Sequence, residues 1–170
     1  APRSVYGKTK LLGEQYVQQF CTHYFIVRTA WLYGYAGNNF VKTMLRLARQ
    51  NGGVTVVDDQ YGRLTFTRDM AEAIFHLLGS DAAYGTYDLT GSGSVRSWAD
   101  IARMVFDLAN GNGETVEPIS TAEYFANAKN PVSPRPTYSA LDLTKIEATG
   151  LKVPDWEESL KAYVTKELNK

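Results

Sequence analysis

The sequence contains few of the residues that cross-link proteins or bind metals. It has one cysteine, Cys21, and two histidines, His23 and His76. A single cysteine cannot form an internal disulfide, and this usage suits a reducing compartment such as the cytoplasm. One cysteine with two histidines also falls short of a metal site. We therefore expect Cys21 to be a packing residue and His76 to be an ordinary helix residue.

A charge excess and long apolar runs are absent as well. The 18 basic residues equal the 18 acidic residues in number, so the formal net charge is zero. A nucleic-acid-binding surface needs a basic excess, and a transmembrane helix needs about 20 consecutive apolar residues. Neither feature occurs, and no signal peptide is visible. We therefore expect a cytoplasmic protein that binds neither nucleic acid nor membranes.

The glycine-rich turn of dinucleotide-binding proteins is also missing. Such a turn follows the first strand, so that the pyrophosphate sits at a helix N-terminus. The sequence holds neither G-x-x-G-x-x-G nor G-x-G-x-x-G, and the Gly91-Ser92-Gly93 segment lacks the third glycine. The chain also starts without methionine. We expect a C-terminal fragment, whose nucleotide-binding half and any catalytic Ser or Thr lie upstream.

What the sequence does contain at its start is a phenol and an ammonium group four residues apart, Tyr6 and Lys10. On a helix, these two positions share one face. A lysine held there favours the phenolate by electrostatics, and the phenol can then exchange a proton near neutral pH. The pattern predicts a catalytic pair. The alternative is an ordinary exposed amphipathic helix.

Strand-like and helix-like segments alternate along the chain, which predicts an α/β fold. Helices are expected over residues 5–20, 40–50, 67–78, 97–108, 122–124 and 143–148, and from 155 onward. Strands are expected over 23–28, 54–57, 63–65, 85–90 and 116–119. The expected helix caps are Asn38 or Asn39, Thr67, Ser97 with Asp100, Thr121 and Asp155. A turn is expected at 61–62 and a loop at 130–136, which holds three prolines.

Four segments occur in an order that points to a family: residues 6–14, 28–34, 59–65 and 135–142. Together they resemble the dTDP-4-dehydrorhamnose reductase family of extended short-chain dehydrogenases/reductases. The resemblance runs from about residue 2 to 165 and departs at Leu64, where the family usually has proline. It implies the C-terminal portion of a Rossmann-type fold with its substrate-binding subdomain. Residues 1–34 would end the Rossmann core, and residues 35–170 would form mainly the nucleotide-sugar region.

The resemblance also implies roles for individual residues. Tyr6 would be the general acid, and Lys10 would assist it and hold the nicotinamide ribose. Thr29 and Ala30 would line the cofactor site beside this pair. A first helix that normally packs on further strands would also leave an exposed apolar face.

The residues implied to contact the substrate are Trp31, Asn39, Phe40, Gln60, Arg135 and Tyr138. Trp31 would face the deoxysugar, residues 38–40 would lie near the diphosphate, Gln60 would hydrogen-bond a base or a sugar, and Arg135 would clamp a phosphate. Structural alternatives are a core tryptophan for Trp31, plain helix capping for Asn39, a solvated turn for Gln60 and a surface ion pair for Arg135.

The implied reaction belongs to the intact protein. NADPH or NADH would reduce the C4 keto group of dTDP-4-dehydro-L-rhamnose to give dTDP-L-rhamnose, and the fragment alone would be inactive. Some members of the family form homodimers linked by Mg²⁺. Two alternatives stay open: another nucleotide-sugar epimerase or dehydratase of the extended family, and a non-catalytic regulatory subunit of the methionine adenosyltransferase type.

Overall fold

A computed structural model of the protein describes residues 2–50, 52–126, 128 and 133–170. Within these residues, the helices are α1 (Val5–Phe20), α2 (Phe40–Arg49), α3 (Thr67–Gly79), α4 (Trp98–Asn110), α5 (Thr121–Tyr124), α6 (Thr144–Glu147) and α7 (Trp156–Leu168). The strands are β1 (Phe25–Thr29), β2 (Leu32–Tyr33), β3 (Val54–Val57), β4 (Tyr61–Gly62), β5 (Thr65–Phe66), β6 (Gly85–Leu89), β7 (Arg96–Ser97) and β8 (Val116–Ile119).

The described strands pair two by two. Three pairs are parallel, namely β1 with β6, β2 with β5 and β3 with β8, and the fourth, β4 with β7, is antiparallel. In the longest ladder, Phe25 lies opposite Gly85 and Thr29 lies opposite Leu89. Parallel strands need crossover connections, and helices provide them here. This arrangement confirms the α/β class.

Two clusters of buried side chains form the core. The larger cluster packs α2, α4 and α7 together and includes Trp156, Leu160 and Val164 on the inner face of α7. The smaller cluster joins α3, α6 and β6. Helix α1 contributes no buried residue to either, and most of its apolar side chains, among them Tyr16 and Phe20, are exposed. The expected exposed apolar face on the first helix is thus confirmed.

Most of the expected helices and strands are confirmed, and so are several caps. Asn39, Ser97 with Asp100, and Asp155 each accept hydrogen bonds from backbone N–H groups at the start of α2, α4 and α7. Gly111 follows α4 in the left-handed conformation. His76 is a residue of α3, as expected, and its Nε2 lies 2.9 Å from Thr149 Oγ1.

Six details of the expected structure are wrong or fall outside the described residues. Of the strand expected over 63–65, only residue 65 lies in a strand, β5, which continues to residue 66. Thr67 and Thr121 are the first residues of their helices, and the N-caps are Phe66 and Ser120. Residues 61–62 form strand β4 instead of a turn, because they pair with β7. Cys21 is exposed and not a packing residue. The expected loop over 130–136 is described only from residue 133 onward.

The division of the chain at residue 34 stays a prediction. Strand β1 ends before this point and its partner β6 lies well after it. The parallel ladder that carries residues 28 and 29 is therefore built from both sides of the division.

Candidate active site

Two adjacent grooves meet at the carboxyl end of strand β1. The larger, which we call the large cleft, has a volume of about 780 Å³, and the second, the side groove, has about 750 Å³. Tyr6, Ala30 and Trp31 line both of them. Lys10 and Thr29 lie in the side groove only. Ligands in open α/β sheets bind at the carboxyl ends of the strands, so this position suits a binding site.

The start of α1 places Tyr6 at the junction of the two grooves. Ser4 caps the helix, because its Oγ accepts a hydrogen bond from the Gly7 backbone N at 3.0 Å. Tyr6 is therefore in the first turn, and its side chain is 74% exposed. Lys10 follows one turn later on the same helix and is also exposed. Helix geometry thus directs the phenol and the ammonium group toward one face.

An ion pair fastens α1 to strand β1. Arg28 Nε lies 2.9 Å from Glu14 Oε1, and Arg28 Nη2 lies 2.6 Å from Glu14 Oε2. This bidentate pair lowers the pKa of Glu14, with burial opposing the effect. It raises the pKa of Arg28 for the same reason. The pair fixes the helix beside the strand whose end carries Thr29 and Ala30.

Thr65, a buried residue of β5, holds the end of β1 in place. Its Oγ1 accepts a hydrogen bond from Thr29 Oγ1 at 3.2 Å and donates one to the carbonyl oxygen of Ala30 at 2.8 Å. Its backbone N donates to the carbonyl oxygen of Trp31 at 3.1 Å. Trp31 itself adopts a φ of 53°, which is uncommon for a bulky residue. Backbone strain of this kind concentrates at binding and active sites.

Three aromatic rings form one wall of the large cleft. The rings of Trp31 and Trp98 are stacked, with centroids 3.8 Å apart, and Phe40 lies 4.5 Å from Trp98. Gly62 makes room for this wall, because a Cβ built there would lie 2.9 Å from the Trp31 ring. Such a wall offers a broad apolar surface for a flat or ring-shaped ligand.

Polar groups occupy other parts of the large cleft. Gln60 is buried, and its Nε2 donates a hydrogen bond to Thr121 Oγ1 at 2.9 Å. Arg135 is exposed at the cleft, and no carboxylate of the described residues forms an ion pair with it. A cation left in this state is available to an anionic ligand.

The structure brings most of the predicted site residues together. Those that line the large cleft are Tyr6, Ala30, Trp31, Phe40, Gln60 and Arg135. Those that line the side groove are Tyr6, Lys10, Thr29 and Ala30, together with Trp31. Most of the cofactor and substrate residues implied by the resemblance thus lie in two neighbouring grooves that share Tyr6, Ala30 and Trp31. Their roles stay predictions.

Two predicted substrate residues are not brought into the large cleft. Both polar atoms of the Asn39 side chain form local hydrogen bonds. Oδ1 accepts one from the Lys42 backbone N, and Nδ2 donates one to the carbonyl oxygen of Gly34. This is the capping alternative. Tyr138 is 62% exposed, and its segment pairs with Tyr61 through backbone hydrogen bonds.

Several residues of the large cleft are not singled out by any motif in the sequence. They are Thr43, Met44, Leu47, Trp98, Tyr124 and Phe125. Trp98 is the most informative of them, because it begins α4 directly after the recognised capping box at Ser97. A tryptophan at the first position of a helix lies near a helix end, and such ends often border binding sites. This position is the feature of the sequence that could have pointed to Trp98 as a cleft residue.

Membrane-spanning helices and clusters of metal ligands are both absent from the described part of the chain. No helix there is both long enough and apolar enough to cross a bilayer. The same residues include no group of three or more His, Cys, Asp or Glu side chains arranged to hold a metal ion.

Comparisons with known proteins show which proteins the chain is similar to. A family model described as "RmlD substrate binding domain" matches residues 1–169. The dTDP-4-dehydrorhamnose reductase of Aggregatibacter actinomycetemcomitans is 41% identical over 171 residues, which cover 94% of this chain and 56% of that protein. The chain spans little more than half the length of the curated relatives it matches.

Solved structures show the same relationship. The dTDP-4-dehydrorhamnose reductase of Bacillus anthracis, in complex with NADP, is 39% identical with a TM-score of 0.85, and the match covers 98% of this chain and 57% of that one. The corresponding reductase of Clostridium acetobutylicum is 40% identical with the same TM-score and the same coverage. The chain therefore belongs to the family described as the RmlD substrate-binding domain.

Proposed function

We propose that the whole protein containing this chain is a dTDP-4-dehydrorhamnose reductase, which reduces the C4 keto group of dTDP-4-dehydro-L-rhamnose to give dTDP-L-rhamnose. The observation that carries the proposal is the position of Tyr6 at the junction of two grooves, with Lys10 in one and Trp31 in both. A reductase needs its acid at such a junction, because the cofactor and the substrate must both reach it.

The names of the relatives support the substrate. Proteins 36–41% identical to this chain are named dTDP-4-dehydrorhamnose reductase. The Bacillus anthracis structure was determined in complex with NADP. We infer that NADPH or NADH is the cofactor here as well, and that the segment upstream of Tyr6 in the whole protein supplies most of its binding site.

The side groove fits part of such a cofactor. Lys10 offers hydrogen-bond donors suited to ribose hydroxyls. Thr29 and Ala30 line the groove beside it and are held in position by hydrogen bonds to Thr65. When bound, the nicotinamide cofactor supplies the hydride. This chain would hold the ribose with Lys10 and would place Tyr6 at the nicotinamide end of the groove.

The remaining steps fall to residues of the large cleft. Tyr6 would donate its phenolic proton to the C4 oxygen, and Lys10, one turn away on the same helix face, would assist it. Trp31 with Trp98 would pack against the deoxysugar and exclude water. Arg135 would bind the diphosphate, and Gln60 would contact the base or the sugar.

The proposal assigns no magnesium ion to the described residues. The described residues include no group of three or more acidic, histidine or cysteine side chains that could hold an ion, so we assign no Mg²⁺ site to them. The side chains that line the two grooves are mainly apolar, hydroxylic or cationic. They suit a nucleotide sugar better than a divalent cation.

The test is an assay of NADPH consumption by the whole protein with a panel of nucleotide sugars. We expect turnover with dTDP-4-dehydro-L-rhamnose and at least tenfold less with UDP-sugars. Interconversion of nucleotide sugars without net NADPH consumption would contradict the proposal in favour of an epimerase. The chain from residue 1 to 170 by itself is expected to show no turnover, because it holds no glycine-rich pyrophosphate turn.

A further inference from the structure

Three side chains link one wall of the large cleft to the short helix α5. Asp59 Oδ2 accepts a hydrogen bond from the Thr121 backbone N at 2.9 Å, and Asp59 Oδ1 accepts one from the Thr121 hydroxyl. Thr121 Oγ1 in turn accepts one from Gln60 Nε2 at 2.9 Å. We call this series of bonds, from Asp59 through Thr121 to Gln60, the Gln60 relay.

The carboxylate of Asp59 sets the direction of the whole relay. An ionised carboxylate only accepts hydrogen bonds, so the single hydroxyl hydrogen of Thr121 is committed to Asp59. Thr121 Oγ1 can then only accept from Gln60, which must turn its NH₂ group toward it. The hydroxyl and the backbone N–H of Thr121 lower the pKa of Asp59, so the carboxylate is ionised at neutral pH. The orientation of the Gln60 amide is therefore fixed by chemistry.

The consequence is an acceptor at the cleft. Gln60 is only 9% exposed, yet it lines the large cleft. With Nε2 directed at Thr121, the carbonyl oxygen Oε1 must point elsewhere, and no donor of the described residues bonds to it. A ligand in the cleft would remove this acceptor from water, so a ligand that brings a donor is favoured over one that does not.

We propose that Asp59 and Thr121 are positioning residues that hold Gln60 with its carbonyl oxygen toward the large cleft, so that the cleft selects a ligand group that donates a hydrogen bond. The inference rests on the proposed function, since it assumes that a nucleotide sugar occupies the cleft. Two parts of such a ligand have the required chemistry. One is the imide N–H of a thymine or uracil base, and the other is a sugar hydroxyl.

Calorimetric titration with three ligands distinguishes these sources. The ligands are dTDP, dTDP methylated at N3 of the base, and dTDP-L-rhamnose. If the base is the donor, dTDP binds about three- to tenfold more tightly than its methylated form, the range for one hydrogen bond. If a sugar hydroxyl is the donor, methylation has no effect, and dTDP-L-rhamnose exceeds dTDP by a similar factor.

Substitutions then test the relay. In Thr121→Val, the amide of Gln60 is free to rotate. The ratio of affinities that differs from one in the wild type, either dTDP over its methylated form or dTDP-L-rhamnose over dTDP, should therefore fall toward one. Thr121→Ser retains the hydroxyl and should keep the ratio. Asp59→Asn is nearly isosteric but can donate as well as accept, so it should reduce the ratio without removing side-chain volume.

Thr144→Val is the matched control. Thr144 also begins a short helix, and its hydroxyl donates to Asp142 Oδ1 at 2.7 Å, but neither residue lines the large cleft. This control should leave the ratio unchanged. A ratio that is the same in wild type and Thr121→Val would overturn the relay while leaving the proposed function intact. Failure of the wild type to bind any of the three ligands would overturn both.

Discussion

The indole rings of Trp31 and Trp98 stack with their centroids 3.8 Å apart and their planes 21° from parallel. Trp31 follows strand β1, and Trp98 is the first residue of α4. Their contact therefore joins the end of strand β1, beside Thr29 and Ala30, to a helix of the larger core cluster. The wall of the large cleft depends on both partners and on the space that Gly62 leaves for Trp31.

Replacing Gly62 by alanine should disturb this wall. The added Cβ would lie 2.9 Å from the Trp31 ring, so the ring or the strand must move. We expect a loss of about 1–3 kcal/mol in the free energy of unfolding, the usual range for overpacking. Urea unfolding followed by tryptophan fluorescence measures it. Gly79→Ala is the control, because nothing lies within 4 Å of a Cβ there. Equal stability of the two variants would contradict this account of Gly62.

Replacing Tyr6 by phenylalanine in the whole protein should remove the general acid. We expect the rate of C4 reduction to fall by about 10²–10⁴, with little change in protein stability because Tyr6 is 74% exposed. Steady-state kinetics and thermal unfolding of the same samples measure the two effects. Tyr16→Phe, an exposed tyrosine on the same helix, should keep full activity. An unchanged kcat in Tyr6→Phe would refute the catalytic assignment.

Arg135 should contribute charge to ligand binding. Arg135→Ala should weaken binding of dTDP and of dTDP-L-rhamnose by roughly tenfold or more, the range for a lost hydrogen bond between charged groups. Arg135→Lys should recover part of the loss, since it keeps the charge but not the bidentate geometry. Arg68, which pairs with Glu72 on α3, is the control position. Equal affinities for Arg135→Ala and Arg68→Ala would show that Arg135 does not bind the diphosphate.

The Glu14–Arg28 pair should make stability depend on pH in the acid range. The folded pKa of Glu14 lies below its ordinary value of 4.5, so the pair stabilises the protein above that pH. The contribution is lost as the pH falls through the lowered pKa. Glu14→Gln should therefore cost up to about 1 kcal/mol at pH 7, and the difference from wild type should shrink below pH 4.5.

Urea unfolding at pH 7, 4 and 3 tests this dependence. Glu72→Gln serves as the comparison, because both partners of its pair with Arg68 are more than half exposed and should contribute less. A difference between Glu14→Gln and wild type that is constant over the three pH values would rule out the ion pair as its source.

Local sequence is sufficient for the features that depend on a few neighbouring residues. The capping box at Ser97 and Asp100 is such a case, because both of its bonds lie within four residues. The predicted cap at Thr121 is wrong by one residue. Ser120 and Glu123 also have the capping-box spacing, and they form the box at the start of α5. Thr67 fails because β5 leads directly into α3, and the residue at the cap position is Phe66.

The site itself depends on contacts between distant parts of the chain. Tyr6, Lys10, Trp31 and Gln60 can be singled out from motifs, but their division between two grooves is a property of the fold. The stacking of Trp31 on Trp98 and the bonds from Asp59 to Thr121 join segments with no common pattern. Asn39 shows that a local pattern can also mislead. A polar residue at the start of a helix can either cap the helix or bind a ligand, and here it caps α2.

The most direct test of the central claim is calorimetric titration of this chain with dTDP-L-rhamnose, dTDP and UDP-glucose. The account predicts that the large cleft binds the dTDP sugar, that it binds dTDP more weakly, and that UDP-glucose binds weakest of all. Binding of UDP-glucose as tightly as dTDP-L-rhamnose would contradict the assignment of this chain to a dTDP-4-dehydrorhamnose reductase.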